Sequence, residues 1–479
     1  MTLRRDRLHL VLLGAIVVGG ALVRARWLGE PMRYDEGVSF VHYAMSSLGS
    51  ITSTYDRPNN QILYTVLTHV SWQAFGSHLW TVRLAAYLPG VAIVPVAYLV
   101  ARRLYDAHAA LWAAALTAGF APLIDYSVNG RGYALGTLLV LVALWLGTLL
   151  VERPRTWAWA GFVICSALAI YTVPTMAAGV VLVALWMAGT VLLGRRPLDL
   201  RLLVGLALAL AATAGLSLLL YSAVLGQPGW TAVHSLPRSW GSIRHLASAV
   251  WSNWNRADPH PLDWLVAAGF LISIVLHRRI ARDPLPLAAA ALVTLAGVAA
   301  FGPIARFERS WLFLLPLYLI QAGAGLSWAA RRIAAAVLGE ERRPDLAAGA
   351  IAACAAVALG AATLHAGLRG SDAPPITDND MVALLRRLVP AGHRALMEPH
   401  LGAPASYYFH RFGGRDLVSG SIKSSDRRAG HVVVVVPRAI SPLPVVRAAS
   451  GAPSGSPRVL VRRTWIDFDD VPIRATGRR

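Results

Sequence analysis

The chain has 479 residues, 56% of them hydrophobic and 15% charged, with a formal net charge of +20. Soluble globular domains carry nearer a quarter charged residues, and here the apolar residues arrive in blocks of about 17–24, long enough to cross a bilayer core as helix. These numbers speak against a single soluble core, and against nucleic acid as the reason for the charge. The arginines stand between the apolar blocks, where the positive-inside rule puts them.

In chain order the apolar blocks predict about eleven transmembrane helices, at 8–26, 79–100, 107–124, 133–151, 157–174, 176–193, 202–224, 262–276, 285–302, 311–329 and 346–364. The first lies behind Arg4, Arg5 and Arg7 and lacks a small-residue cleavage site, so it reads as an uncleaved span. Counted from a cytoplasmic N-terminus, every cytoplasmic segment is basic: Arg102-Arg103, Arg153 and Arg155, Arg195-Arg196, Arg278-Arg279, Arg331-Arg332. An odd number of spans then puts the C-terminus outside. Cys165 and Cys354 each sit inside an apolar block, and no disulfide or zinc framework is available.

Two outside loops are long. The first, 27–78, predicts one helix from about Glu36 to Ser47 and a second after Pro58, with Ile62, Leu63, Val66, Leu67 and Val70 at helical spacing. An amphipathic helix of that kind lies along the membrane surface. The other, 225–261, is rich in Trp, Pro and His. Beyond the last span the texture changes. Asp380–Val389, Ala405–Phe412 and Leu443–Ala449 read as helices, and Arg394–Met397, His431–Val436 and Arg458–Trp465 as strands. The expected organisation is a polytopic helical domain at 1–365 and a small outer α/β domain at 366–479.

Four polar clusters fall on the outer face of this topology. Arg33-Tyr34-Asp35-Glu36 holds two adjacent carboxylates; helix-start rules alone account for them, with Asp35 as N-cap and Glu36 in the first turn. Asp56-Arg57-Pro58-Asn59-Asn60-Gln61 is a turn with an Asx cap, but a turn does not explain Arg57 together with three amides. In the hairpin Asp125–Leu135, Arg131 goes against the positive-inside bias and is flanked by Asp125, Tyr126 and Tyr133. Arg306-Phe307-Glu308-Arg309 precedes a span, and Arg306 and Glu308 are spaced to pair with each other. Carboxylates and arginines at one depth suit an anionic substrate: guanidinium forks bind phosphate, and a carboxylate accepts a hydroxyl proton. Asp378-Asn379-Asp380 looks like a metal-binding Asp-x-Asp but precedes a helix, and capping explains it. His234, His245 and His260 are too widely spaced for a metal site, although His260 lies near Asp258.

At these residues the chain resembles the GT-C fold glycosyltransferases that use polyprenyl-phosphate sugars, the superfamily of protein O-mannosyltransferases and aminoarabinose transferases. The likeness runs from Arg33 to Val180, resumes from Arg309 to Gly325, and is weak in the tail. Asp35-Glu36 matches an acidic pair after the first span, and Arg57-Pro58 matches a basic residue before proline. Val82–Gly90 and Ala101–Tyr105 match the ends of the next span, Tyr126–Leu135 a Tyr-Ser-x-x-x-Arg-x-Tyr-Ala-Leu signature, and Arg309 with Leu312–Pro316 a late arginine before a span. The chain departs from the pattern in two places: Arg57-Pro58-Asn59-Asn60 stands where His-Pro-Pro is common, and Ser310 replaces a usual Tyr.

The resemblance implies a multi-pass plasma (inner) membrane enzyme. It would move a sugar from a polyprenyl phosphate to a hydroxyl of a protein, lipid or glycan, with inversion. It implies Asp35 as general base, Glu36 orienting the acceptor or Asp35, and Arg57, Arg131 and Arg309 on the lipid phosphate. Asn60 and Tyr133 become lesser contacts to phosphate or sugar; Asp56, Asp125, Tyr126, His260 and Arg306 are peripheral candidates. No cofactor or metal is required, and a divalent cation is compatible with the scheme. The rival class is a transporter or flippase of lipid-linked sugars, which would need ionisable residues lining a path through the spans.

Overall fold

The computed structural model describes residues 2–338 apart from breaks at 195–198, 232–234, 237–238, 255–260, 302–303 and 306. Beyond 338 it describes chiefly 379–389, 394–397, 418–419, 431–437, 442–448, 453–462 and 466–472, with single residues such as Tyr407 and Arg411. The predicted span 346–364 and the predicted helix Ala405–Phe412 fall almost wholly outside these residues.

The described chain is mainly helical: α1 (Thr2–Ala25), α2 (Tyr34–Gly37), a π-helix (Val38–Ala44), α3 (Leu48–Ser53), α4 (Ile62–Phe75), α5 (Leu79–Leu104), α6 (Ala107–Gly119), α7 (Ala121–Ser127) and α8 (Tyr133–Glu152). Then follow α9 (Thr156–Thr172), α10 (Met176–Leu193), α11 (Leu200–Tyr221), α12 (Pro228–Thr231), α13 (Trp240–Trp254), α14 (Pro261–Val275), α15 (His277–Ile280), α16 (Leu287–Phe301) and α17 (Leu314–Leu338). Among the described residues, five helices are long and apolar enough to cross a membrane, six if the bent pair α6 and α7 is one span, and three shorter apolar helices accompany them.

That bent pair corrects the single helix expected over 107–124. The axis turns by 59° between α6 and α7. Phe120 is extended at φ −75 and ψ 122, and Pro122 occupies the first turn of α7. A proline cannot donate into the preceding turn and tolerates only a helix start.

The chain divides into two compact units. The first comprises Met1–Leu28, Leu48–Leu67 and Arg83–Arg369. Its core is one continuous apolar cluster built largely from α5, α6, α8, α10 and α17. Between helices in lipid, small residues let backbones approach closely. A Cβ on Gly323 of α17 would stand 2.8 Å from the Ala113 nitrogen of α6, and Gly325 meets the Gly269 carbonyl of α14 with no room for a side chain. At one end of these helices Arg331 pairs with Asp106 at 2.8 Å, and Arg103 pairs with Glu152. There Arg282 N–H donates to the Leu104 carbonyl at 2.9 Å.

The second unit comprises Gly29–Ser47, Thr68–Val82 and Gly370–Arg479. It holds a five-stranded sheet in the order β4 (Val418–Ser419), β3 (Ala395–Met397), β5 (His431–Pro437), β7 (Ile466–Pro472), β6 (Arg458–Arg462). β3 runs parallel to β4 and β5, while β7 is antiparallel to β5 and β6. The unbroken valine run of β5 suits a strand covered on both faces. Alternate residues point opposite ways, so Val433 and Val435 pack with Met32, Phe40, Leu385 and Tyr407, and Val432 and Val434 pack with Val445 and Val446 of the helix Pro442–Ala448. The acidic first-loop segment thus shares a core with the sheet.

Asp283, just before α16, yields a prediction. Burial pushes its carboxyl up from 3.8 to about 6, against the pull of Arg282 and Arg103. A raised acid pKa means that ionisation costs the folded state. The cost is absent below the unfolded pKa and complete above the folded one. Asp283→Asn is therefore expected to raise the apparent unfolding midpoint at pH 7.5, with the gain shrinking towards pH 4. An equal gain at both pH values, by tryptophan fluorescence in detergent, would contradict this.

Candidate active site

The turn after α3 fixes the Asp56–Gln61 cluster. Asn60 is buried, and its Nδ2 donates to the carbonyls of Ile51 at 2.9 Å and Thr54 at 2.6 Å. These are carbonyls that the end of α3 leaves without helical partners. Asn60 thus holds the turn together. Asp56 and Arg57 approach at 3.9 Å, with side chains 39% and 59% exposed. An exposed pair of this kind contributes little to stability, so Arg57 presents its charge to solvent. Gln61, buried and not singled out as a site residue in the sequence, does more. Its Oε1 accepts the Gly132 N–H at 2.5 Å, tying this turn to the hairpin that carries Arg131.

Gly132 explains the tightness of that junction. A Cβ there would lie 2.7 Å from Thr172 Cγ2 and 2.9 Å from Tyr64 Cβ. Arg131 is 4% exposed, and its guanidinium carbon is 5.8 Å from the centre of the Tyr133 ring. Arg309 reaches the same ring at 5.9 Å, and its Nε donates to the Tyr133 hydroxyl at 3.1 Å. Tyr126 meets Tyr133 edge to face at 5.7 Å, while Phe307 lies under Arg309 at 4.3 Å. The structure therefore brings Arg309 onto the hairpin that carries Tyr126, Arg131 and Tyr133, 176 positions away from Tyr133 in sequence. Asp125 is buried in α7, one residue before Tyr126.

The position of Arg309 is set by its neighbours. It lies in a 3-10 turn, Glu308–Trp311. Asn253 of α13 donates to Glu308 Oε1 at 3.2 Å, so Asn253 holds this glutamate, for which Arg306 was a sequence candidate. Trp311 Nε1 donates to the Ala305 carbonyl at 3.2 Å, and β2 (Ile304–Ala305) pairs with β1 (Ser235–Leu236). No helix is expected from the sequence in the 225–261 loop, yet α13 places Ile243, Leu246, Val250 and Trp254 against the main core. That spacing of three and four residues was the available signal. Arg306 and His260 lie outside the described residues.

Tyr55 is a further member. Its backbone is held by Gln227 and by the Gly229 N–H, which donates to its carbonyl at 2.8 Å. Burial pushes its phenol up to about 12, Tyr133 adding to the rise and Arg131 opposing it. Its hydroxyl therefore keeps its proton at neutral pH.

Asp35 and Glu36 belong to the second unit. Arg33, in extended backbone, is the N-cap of α2, and Glu36 is fully buried and accepts the Arg33 N–H at 2.8 Å. This corrects the expected assignment of Asp35 as N-cap. The back-reaching carboxylate of the cap is Glu36, as the third helical residue of a capping box. Asp35 stands in the first turn, partly exposed. The π-helix that follows is a form enriched at functional sites.

Two guanidinium groups on one tyrosine ring concentrate positive potential. Planar forks at this spacing suit an anion with several oxygens, and phosphate is the chemical match.

Residues 56–219 match the family model described as dolichyl-phosphate-mannose-protein mannosyltransferase. No curated protein matches the chain by sequence. Among solved structures the chain is similar to ArnT from Cupriavidus metallidurans in the apo state, with TM-score 0.63, 15% identity, and coverage of 96% of this chain and 97% of that one. ArnT from the same organism bound to undecaprenyl phosphate gives 0.60 and 14%, again over 96% and 97%. The apo oligosaccharyltransferase of Archaeoglobus fulgidus gives 0.55 and 14%, over 90% of this chain and 69% of that one. At such identities the likeness establishes the fold, and that fold is GT-C. The resemblance read from the sequence is borne out.

The Gly132 junction is testable without substrate. Gly132→Ala should lower the unfolding midpoint, since overpacking costs roughly 1–3 kcal/mol. Gly215→Ala, where an added Cβ meets nothing within 4 Å, should leave it unchanged or raise it. Equal midpoints for the two variants, by thermal unfolding in detergent, would contradict the close approach.

Proposed function

We propose that this GT-C chain is a membrane glycosyltransferase that moves a sugar from a polyprenyl-phosphate donor to an acceptor hydroxyl outside the plasma membrane. The observation that carries the reading is the pair Arg131 and Arg309 on the Tyr133 ring, at the ends of apolar helices. A lipid-linked phosphate is an anion delivered at that depth.

In the reaction, the acceptor oxygen attacks the anomeric carbon from the face opposite the phosphate. The new O–C bond forms as the C–O bond to phosphate breaks, inverting the centre. Asp35 accepts the hydroxyl proton. The electron pair leaves on the phosphate, where Arg131 and Arg309 stabilise the growing charge. Positive charge at the sugar carbon passes through an oxocarbenium-like state. Glu36, bonded to the Arg33 N–H, fixes the helix on which Asp35 stands. Arg57 adds an outer cation to the donor, and Asn60 acts by keeping its turn in shape. The scheme uses neither nucleotide nor metal. The N-terminus lies in the cytoplasm, the sheet-bearing segment outside, and the acceptor is a protein, lipid or glycan. Against the transporter reading, the fully buried Arg24 and Arg83 spend donors on backbone carbonyls of neighbouring helix ends.

Asp35→Asn should reduce transfer from a polyprenyl-phosphate sugar by about 10²–10⁴-fold, the usual contribution of a general base, while the exposed Asp56→Asn retains most activity. Transfer to envelope glycans, followed by mass spectrometry in a deletion strain complemented with each variant, reads this out. Near wild-type transfer by Asp35→Asn would contradict the assignment. Donor translocation in vesicles without transfer would favour a flippase.

A further inference from the structure

We infer that Arg24 is a positioning residue for the hairpin that carries Arg131. Arg24 lies in the last turn of α1 and is fully buried. Its guanidinium makes four hydrogen bonds, all to neutral oxygens. Nη1 donates to the carbonyls of Gly20 at 3.0 Å and Ala118 at 2.7 Å, Nη2 to that of Thr117 at 3.0 Å, and Nε to Ser127 Oγ at 3.1 Å.

These partners lie on both sides of the helix break. Thr117 and Ala118 precede the end of α6, and Ser127 is the last residue of α7. A helix that stops within apolar surroundings leaves carbonyls that water cannot reach. A cation there satisfies them and also meets the negative end of the helix dipole. The same side chain, through Nε, pins the far end of α7. Arg24 therefore bridges α6 and α7 across the 59° bend. Four residues beyond Ser127 stands Arg131, and two further on stands Tyr133.

Two glycines leave space for the device. Gly90 of α5 faces Ser127 so closely that a Cβ would overlap its hydroxyl. Gly20 faces Ala118, where a Cβ would come within 3.1 Å of the Ala118 Cβ and 3.3 Å of Arg24 Nη1. Ser127 Oγ also donates to the Leu123 carbonyl, which turns a lone pair towards Arg24. Three elements, α1, α6 and α7, thus converge on one guanidinium, with α5 packed against Ser127, and the loop they aim carries one of the two proposed phosphate-binding arginines. The inference rests on that proposed role of Arg131.

The test uses the full chain in detergent or nanodiscs. Ser127→Ala and Gly90→Ala each detach Arg24 from α7 by a different route. Arg24→Lys keeps a donor for the Thr117 and Ala118 carbonyls, and Arg24→Met removes it. Hydrogen–deuterium exchange over 120–133 and the Kd for undecaprenyl phosphate are measured for each. In Ser127→Ala and Gly90→Ala, exchange over 120–133 should quicken while that of 137–150 in α8 does not. The Kd should rise about tenfold, as for one lost charge-assisted hydrogen bond. Arg24→Lys should fall between wild type and Arg24→Met on both readouts. Unchanged loop exchange in folded Ser127→Ala and Gly90→Ala overturns the inference, and so does faster exchange with an unaltered Kd. Faster loop exchange in a protein whose wild type does not bind undecaprenyl phosphate leaves the positioning role standing and removes the proposed function instead.

Discussion

Guanidinium groups out of water inside an apolar helix bundle constrain the rest of this structure. Burying a cation costs several kcal/mol unless hydrogen bonds or an opposite charge offset it. Arg24 and Arg83 meet the cost with backbone carbonyls at helix ends, Arg24 at α6 and Arg83 at Leu28 after α1. Arg131 and Arg309 share the Tyr133 ring. The first two act as structural cations, each tying the end of one helix to another part of the first unit. The second two carry the charge that the proposed function assigns to a lipid-linked phosphate.

Much of the fold was legible because a bilayer imposes length and polarity together. Apolar blocks bounded by arginines, such as Tyr133–Glu152 and Met176–Leu193, coincide with helices to within a few residues. The α6–α7 break was written in Gly119 and Pro122, but an apolar run hides a kink, because composition does not register backbone direction. Helix α13 was missed because the Trp, Pro and His around it obscure the spacing of Ile243, Leu246, Val250 and Trp254. In the tail, β5 declared itself through its valines. The edge strand β4 is two residues long, and the acidic β7 is stabilised by pairing with β5 and β6, which no local pattern contains.

The candidate site was legible in its residues and not in its links. Arg131, Tyr133 and Arg309 stood out as polar groups on the outer ends of spans. Their convergence depends on Gln61 meeting Gly132 and Asn253 meeting Glu308, contacts across 71 and 55 positions of sequence. Local reading also misassigned the cap of α2, because both carboxylates fit a helix start. The structure gives that role to Glu36, and with it full burial, while Asp35 keeps partial exposure in the same turn. The two adjacent acids are thereby divided into one that holds the backbone and one left partly exposed, the one proposed as general base. In the same unit, Phe40 of the π-helix packs edge to face on Tyr407 at 5.5 Å and on Trp72 at 5.9 Å.

The central claim is that Arg131 and Arg309 together form the seat of a lipid-linked phosphate. A cryo-electron-microscopy structure of the wild-type protein with undecaprenyl phosphate in nanodiscs tests it most directly. The account predicts phosphate oxygens within hydrogen-bonding distance of both guanidinium groups, with Tyr133 still between them. A phosphate bound elsewhere on the bundle, with both arginines left on the Tyr133 ring and touching no lipid, would contradict it.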